Sequence, residues 1–286
     1  MSGPRLIPAV TAVMLLAGTA AADDAVLQKP LWEIGLFNFV ASLPDYRGSN
    51  ESTVYAFPLP YLVYRGKHFR ATRDGVRGIF FQNDWIETSL SISGNPPVNR
   101  NNKARAGMPE LDAIGELGPS VKWFFMGRDP LDQLYLDLSA RAAASASFEH
   151  GPQVRYQGIA GNLGVVFYSQ SRVRDLGIRY HLSAGAYFGD AGYHRYFYQV
   201  APADATPDRP AYTPKAGFGG TYASASMQYE ITPTLALGFY SRWDNLSGAS
   251  FVGSPLVKQE NNFVIGAALI LKPWHSETMV NAEDFD

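Results

Sequence analysis

A chain of 286 residues with a net charge of −2, 17% charged residues and no cysteine has room for one large or two ordinary domains. The missing cysteine excludes disulfides, thiolate zinc sites and cysteine nucleophiles, and the absence of a Lys/Arg run leaves no electrostatic footprint for nucleic acid. The histidines (His68, His150, His181, His194, His275) are dispersed without metal-ligand spacing, so no metal or other cofactor is expected, while 27 Gly, 16 Tyr and 17 Phe favour one β-rich unit.

In chain order, Arg5, the apolar run Leu6 to Ala17 and the small residues Ala20-Ala21-Ala22 spell a secretory signal peptide over residues 1–22, with the mature chain beginning near Asp23. No later run of 18 apolar residues exists, so any membrane crossing uses strands. Trp32 to Ala41 is the first expected strand, with Trp32, Ile34 and Leu36 on one face and a register break near Phe37. Val54 to Tyr64 places Tyr55, Phe57, Leu59, Tyr61 and Val63 on one side, and its prolines, Pro58 and Pro60, predict an irregular or bulged strand because neither can donate to a ladder. A short hairpin, His68 to Thr72 with Val76 to Gln82, precedes the alternating stretch Trp85 to Ser93.

After a loop from Gly94 to Glu110, Leu111 to Phe125 sets Asp112, Glu116 and Lys122 opposite Leu117, Val121, Trp123 and Phe125. Gln133 to Phe148 carries all its polar groups at odd positions and only apolar ones at even positions, a period of two that fits a strand better than an Ala-rich helix. Val154 to Tyr168 and Leu176 to Phe188 follow, then a loop from Gly189 to Gly217. Gly220 to Ile231 turns directly into Leu235 to Trp243, and a third loop, Asn245 to Glu260, precedes Asn262 to Lys272.

The count is about twelve strands, with ten as the alternative. All three long loops follow upward strands when the first strand starts from the periplasm, while the other connections are short, which is the outer-membrane pattern. The expected fold is therefore an all-β transmembrane antiparallel barrel over residues 23–274 with a polar periplasmic tail at 275–286. A soluble sandwich also alternates, but the polar faces carry mainly Ser, Gly, Asn and Tyr with a few charges of both signs: Glu87, Asp112, Glu116, Lys122, Asp137, Arg141, Arg179, Glu230 and Arg242. Such a set suits an enclosed lumen where charges pair. Aromatics near strand ends (Trp32, Trp85, Trp123, Phe125, Phe148, Phe188, Trp243, Trp274) fit interfacial girdles. No G-x-S-x-G or H-E-x-x-H run exists, a lone loop histidine such as His194 is expected to be solvated, and no catalytic residues are assigned.

Several stretches resemble the MipA/OmpV family. Asp45-Tyr46-Arg47-Gly48-Ser49-Asn50-Glu51 is similar to that family's turn after the first strand, and Pro58-Leu59-Pro60-Tyr61 to its P-x-P-Y strand. Gly115-Glu116-Leu117-Gly118 resembles its E-L-G segment, and Arg242 to Leu246 followed by Ser254-Pro255-Leu256-Val257 resembles the stretch before its closing strand. The resemblance implies an outer-membrane barrel inserted by the barrel-assembly machinery. Its implied role is a non-enzymatic scaffold joining a murein lytic transglycosylase to a penicillin-binding protein. A small-solute channel and a surface adhesin acting through the long loops are the alternatives.

Overall fold

The computed structural model describes residues 28–65, 69–72, 75–98, 101–129, 131–147, 153–170 and 176–281. The expected leader at 1–22, His68, Phe148, His150 and the last five residues lie outside the described residues.

The strands are β1 (Gln28–Pro30), β2 (Trp32–Pro44), β3 (Ser52–Arg65), β4 (Phe69–Thr72), β5 (Gly75–Gln82), β6 (Ile86–Asn95), β7 (Ala113–Phe124), β8 (Asp132–Ser147), β9 (Gln153–Ser169) and β10 (Ile178–Gly189). One helix, α1 (Ala191–Tyr198), precedes β11 (Gly217–Thr232), β12 (Leu235–Asn245), β13 (Asn261–His275) and β14 (Met279–Asn281). Strands β2 to β13 pair with their neighbours in sequence, and β13 pairs back onto β2, giving a closed antiparallel barrel of twelve strands. β1 and β14 form a separate two-stranded ribbon that joins the residues just before β2 to those just after β13.

The period of two in the sequence becomes an inside and an outside. On β8, Tyr135, Ser139, Arg141, Ala143 and Ser145 are buried and face the axis, while Leu138 points outward with half its surface exposed. Outward Ile34, Leu36, Leu117, Val121, Ile159, Val165, Leu182, Ile265 and Leu269 are likewise exposed. A continuous apolar band of this kind needs lipid around it, and no helix among the described residues is long and apolar enough to cross a membrane. Exposed Trp85, Trp123, Phe125 and Trp274 stand near one end of the band, and Phe188, Trp243 and Phe263 near the other, as interfacial girdles do.

One end of the barrel carries residues 45–51, 96–98, 101–112, 190–216 and 246–260, and is here the loop end. The opposite end carries residues 83–85, 125–129 and 233–234 together with the β1–β14 ribbon, and is the turn end.

Three sequence expectations are corrected. No break occurs at Phe37: β2 pairs β3 without a shift from Trp32 to Pro44, so Phe37 and Phe39 both face the lumen. β3 is neither irregular nor bulged at its prolines, although they lie mid-strand. Arg65 N–H donates to the Leu31 carbonyl on the β2 side, so the even residues of β3, Pro58 and Pro60 included, turn their backbone groups to the other edge. There β4 reaches only Tyr64 and Arg65, and no ladder bond is lost. Asp112 precedes β7 and belongs to a loop, where its carbonyl accepts a hydrogen bond from the Tyr196 hydroxyl at 2.7 Å.

Candidate functional site

The loop end is covered by a folded cap. α1 starts at Asp190, whose carboxylate accepts from Tyr193 N–H at 2.7 Å, an N-cap that satisfies an otherwise orphaned donor. The helix presents His194, Phe197 and Tyr198 to a buried cluster with Tyr46, Val98, Leu111, Leu246, Phe251 and Leu256. The Tyr198 and Phe251 rings stack at 3.7 Å, and His194 meets Phe251 edge-on at 4.8 Å. His194 is therefore buried rather than solvated, with 1% of its surface exposed. Its Nδ1 lies 2.7 Å from the Lys215 carbonyl and 3.2 Å from Ser250 Oγ, and burial holds its pKa below the ordinary imidazole value.

Two stretches singled out in the sequence meet in this cap. Tyr46 donates through its hydroxyl to the Leu256 carbonyl at 2.8 Å, Ser254 Oγ donates to the Tyr198 carbonyl at 2.8 Å, and Pro255 lies partly buried between these contacts. Gly48, at φ +97°, donates its N–H to Asn262 Oδ1 at 2.6 Å, and Asn262 Nδ2 donates to the Ser49 carbonyl at 2.8 Å. Ser49 is fully buried, and Glu51 accepts from Lys103 N–H at 3.1 Å. Arg47 lies over the Tyr187 ring at 4.3 Å and pairs with buried Asp244 at 3.3 Å, which Arg242 also engages at 2.9 Å.

Below the cap the charged residues read from the sequence fall into separate groups. Glu116 accepts from Arg141 Nε at 2.9 Å and from the Tyr193 hydroxyl at 2.8 Å, anchoring α1 to the wall. Burial and the Glu116 carboxylate together push the Tyr193 phenol well above its usual pKa. Arg141 also donates to Ser139 Oγ. Asp137 accepts from Ser120 Oγ at 3.0 Å. Toward the turn end Glu87 pairs with Lys122 at 3.6 Å and with Arg128 at 3.7 Å. Glu230 joins Arg179 at 2.6 Å and Lys272 at 3.0 Å, and Lys272 continues to Glu33 at 3.1 Å and Glu33 to Arg65 at 2.7 Å. Tyr61 faces the lumen beside Val63 and Ile270. The periodicity gives no hint of Glu33, Arg65, Lys272 or the helix. The Asp190 cap before an aromatic run is the one local signal that could have marked α1.

Two cavities with lining residues in common lie beneath this layer. One, of about 480 Å³, lies toward the turn end; the other, of about 450 Å³, lies higher and is lined largely by Ser89, Ser91, Ser120, Ser183, Ser224 and Ser226. Lys122, Tyr135, His181, Ser226 and Tyr240 line both. Directly under the cap only about 90 Å³ remains, between Arg47, Glu116, Arg141, Tyr187 and Tyr193. Among the described residues no three His, Asp or Glu side chains gather as metal ligands.

A family model described as MltA-interacting protein MipA matches residues 36–271, from within β2 to within β13. No curated protein matches the chain. Among solved structures it is similar to the NanC porin, with a TM-score of 0.41, 8% identity, and coverage of 83% of this chain and all of that one. It is also similar to the CymD monoaromatic hydrocarbon channel, with a TM-score of 0.26, 11% identity, and coverage of 86% of this chain and 68% of that one.

Proposed function

The chain belongs to the MipA family, and from that membership we propose a non-enzymatic barrel of the outer membrane, exported by the leader at residues 1–22, that holds a murein lytic transglycosylase together with a penicillin-binding protein. The observation that best supports a scaffold over a pore is the shut mouth. A helix, a buried aromatic cluster and side-chain hydrogen bonds fill the loop end, where an open porin would keep an aqueous channel. With the loop end outside the cell, the turn end and the β1–β14 ribbon face the periplasm, where both enzymes work. The family's description, MltA-interacting protein, supports the transglycosylase as the first partner.

Extraction of the tagged protein in mild detergent is expected to bring a lytic transglycosylase with it, and removal of residues 276–286 to weaken that capture. Recovery of the barrel alone from cells expressing both enzymes would overturn the scaffold. The two lumen cavities favour a second reading, a small-solute channel whose cap opens. Planar-bilayer recording separates the two, since the scaffold is silent at all voltages and the channel is not.

A further inference from the structure

The barrel wall has a window. β3 is 14 residues long and pairs along one whole edge with β2, yet on its other edge it meets β4 only at Tyr64 and Arg65. Only 20 residues separate Arg65 from Ile86, too few for two strands of full height, and β5 pairs with β6 only at Glu87 to Ser89. Above the β4–β5 hairpin, Ser52 to Val63 of β3 and Leu90 to Asn95 of β6 therefore face each other with no strand paired between them among the described residues. The Tyr55 hydroxyl, which donates to the Pro97 carbonyl at 3.3 Å, bridges the upper part. Pro58 and Pro60 turn their missing donors into the window, which removes two N–H groups that would otherwise be stranded beside lipid.

The lumen behind the window is apolar on one side and hydroxyl-lined on the other. Phe57 and Leu59 face inward yet keep 45% and 40% of their surface exposed, since no neighbouring strand covers them. The Phe39 ring meets Phe57 edge-on at 4.7 Å and lies 5.9 Å from Phe37. Ala268 and Gly238 on β13 and β12 are too small to fill the space before these rings, and they line the 480 Å³ cavity with Phe37 and Phe39. From β7, β10 and β11, Ser120, Ser183, Ser224 and Ser226 line the 450 Å³ cavity. The Ser183 and Ser224 hydroxyls share one hydrogen bond at 2.7 Å, which leaves each with further bonding capacity.

The cations of the larger cavity are already engaged. Arg65 pairs with Glu33, Arg179 with Glu230, and Lys122 and Arg128 with Glu87, while Lys29 is likewise not free. A charged ligand would shed its hydration there without a free counter-ion to meet, whereas an uncharged one avoids that cost. We propose that the lumen binds an uncharged, mainly apolar molecule bearing one hydroxyl or carbonyl group, admitted from the bilayer through the window between β3 and β6. Its body lies along Phe37, Phe39, Phe57 and Leu59, and its polar group reaches the serine hydroxyls. The site is independent of the scaffold role: failure to capture a murein enzyme leaves it standing.

The test uses the full-length protein in nanodiscs, irradiated with 4-benzoylbenzyl alcohol as a neutral photoprobe. Peptide mass spectrometry reads the labelling that an excess of biphenyl-4-methanol displaces. Displaceable labelling is expected on Phe37, Phe39 and Phe57, at least about tenfold above that from 4-benzoylbenzoic acid or 4-benzoylbenzylamine at equal bilayer concentration. Ala268→Trp, whose position is the register partner of Phe39, is expected to lower it by about tenfold or more while labelling of outward Leu36 is unchanged. Heat-modifiable gel mobility establishes that the variant barrel is intact; if it is not, Gly238→Leu serves as the second variant, since an added Cβ there meets nothing nearer than 3.5 Å. Because the chain has no cysteine, Leu59→Cys reports the route. Membrane-dissolved pyrene maleimide should label it faster than Val166→Cys, which lines the 450 Å³ cavity from β9, six strands from β3 in either direction. No displaceable labelling at the lumen rings, or equal displaceable labelling by neutral and charged probes, overturns the site. Equal rates at the two cysteines overturn the lateral route.

Discussion

His194 is a residue whose ionisation its buried place in the cap opposes. Its ring is edge-on to Phe251 and its Nδ1 sits against the Lys215 carbonyl. Its folded pKa is lowered below 6.5 by burial. Once the pH falls below about 6.5, an opened cap takes up a proton that the closed cap refuses, so closure is fully stable above that pH and weakens beneath it. Hydrogen exchange over residues 191–216 is expected to speed up between pH 7 and pH 5, and His194→Asn should flatten the profile. Tyr193→Phe deletes the hydroxyl that ties α1 to Glu116 and should lower unfolding stability by about 1–3 kcal/mol, the usual range for a buried hydrogen bond to a charged group. Gly158, at φ +129°, lies under the helix start, where an added Cβ would come within 2.2 Å of Asp190 Oδ1. Gly158→Ala is therefore expected to dislodge the N-cap, which loss of protection at Tyr193 N–H would report.

At the scale of elements, the strands were legible because each face of a barrel strand meets a single kind of surroundings. β8 and β10 alternate without exception in the sequence and do so in space. Leu138→Arg, at the middle of β8 and facing lipid, should lower unfolding stability in liposomes by about 2–4 kcal/mol. Ser224→Arg, which points into the 450 Å³ cavity, should be tolerated with a much smaller change. Equal costs would reverse inside and outside. β2 misled because its lumen face is apolar as well: Phe37 and Phe39 interrupt the expected polar side and mimic a register break. The prolines of β3 were read as a defect in a paired strand, whereas the nearest partner strand ends before reaching them, which no local pattern reveals. α1 stayed hidden in a loop rich in Pro, Asp and Tyr because its aromatic face is complementary to residues from four other segments. The hydrogen bonds of Tyr46 to Leu256, Ser254 to Tyr198 and Asn262 to Gly48 and Ser49 likewise arise only when distant segments converge, although the motifs carrying them are visible one by one.

For the whole molecule, the filled mouth and the cavities beneath it divide the barrel into two regions of different build. The loop end is cross-linked by side chains, while the turn half keeps its volume and its cations. If the cap is what blocks conduction, replacing residues 191–216 by a short Gly-Ser linker should convert a silent barrel into one with discrete current steps in a planar bilayer. A protein equally silent with and without the cap would place the obstruction lower, at the charge chains around Glu87 and Glu230.

The hydrogen bond from Tyr46 to Leu256 joins residues 210 positions apart, and Gly48 reaches Asn262 on the last barrel strand. The first turn thus waits for the end of the polypeptide before it can be bolted down. An assembly stalled with its final hairpin missing would have no fastener for its lid.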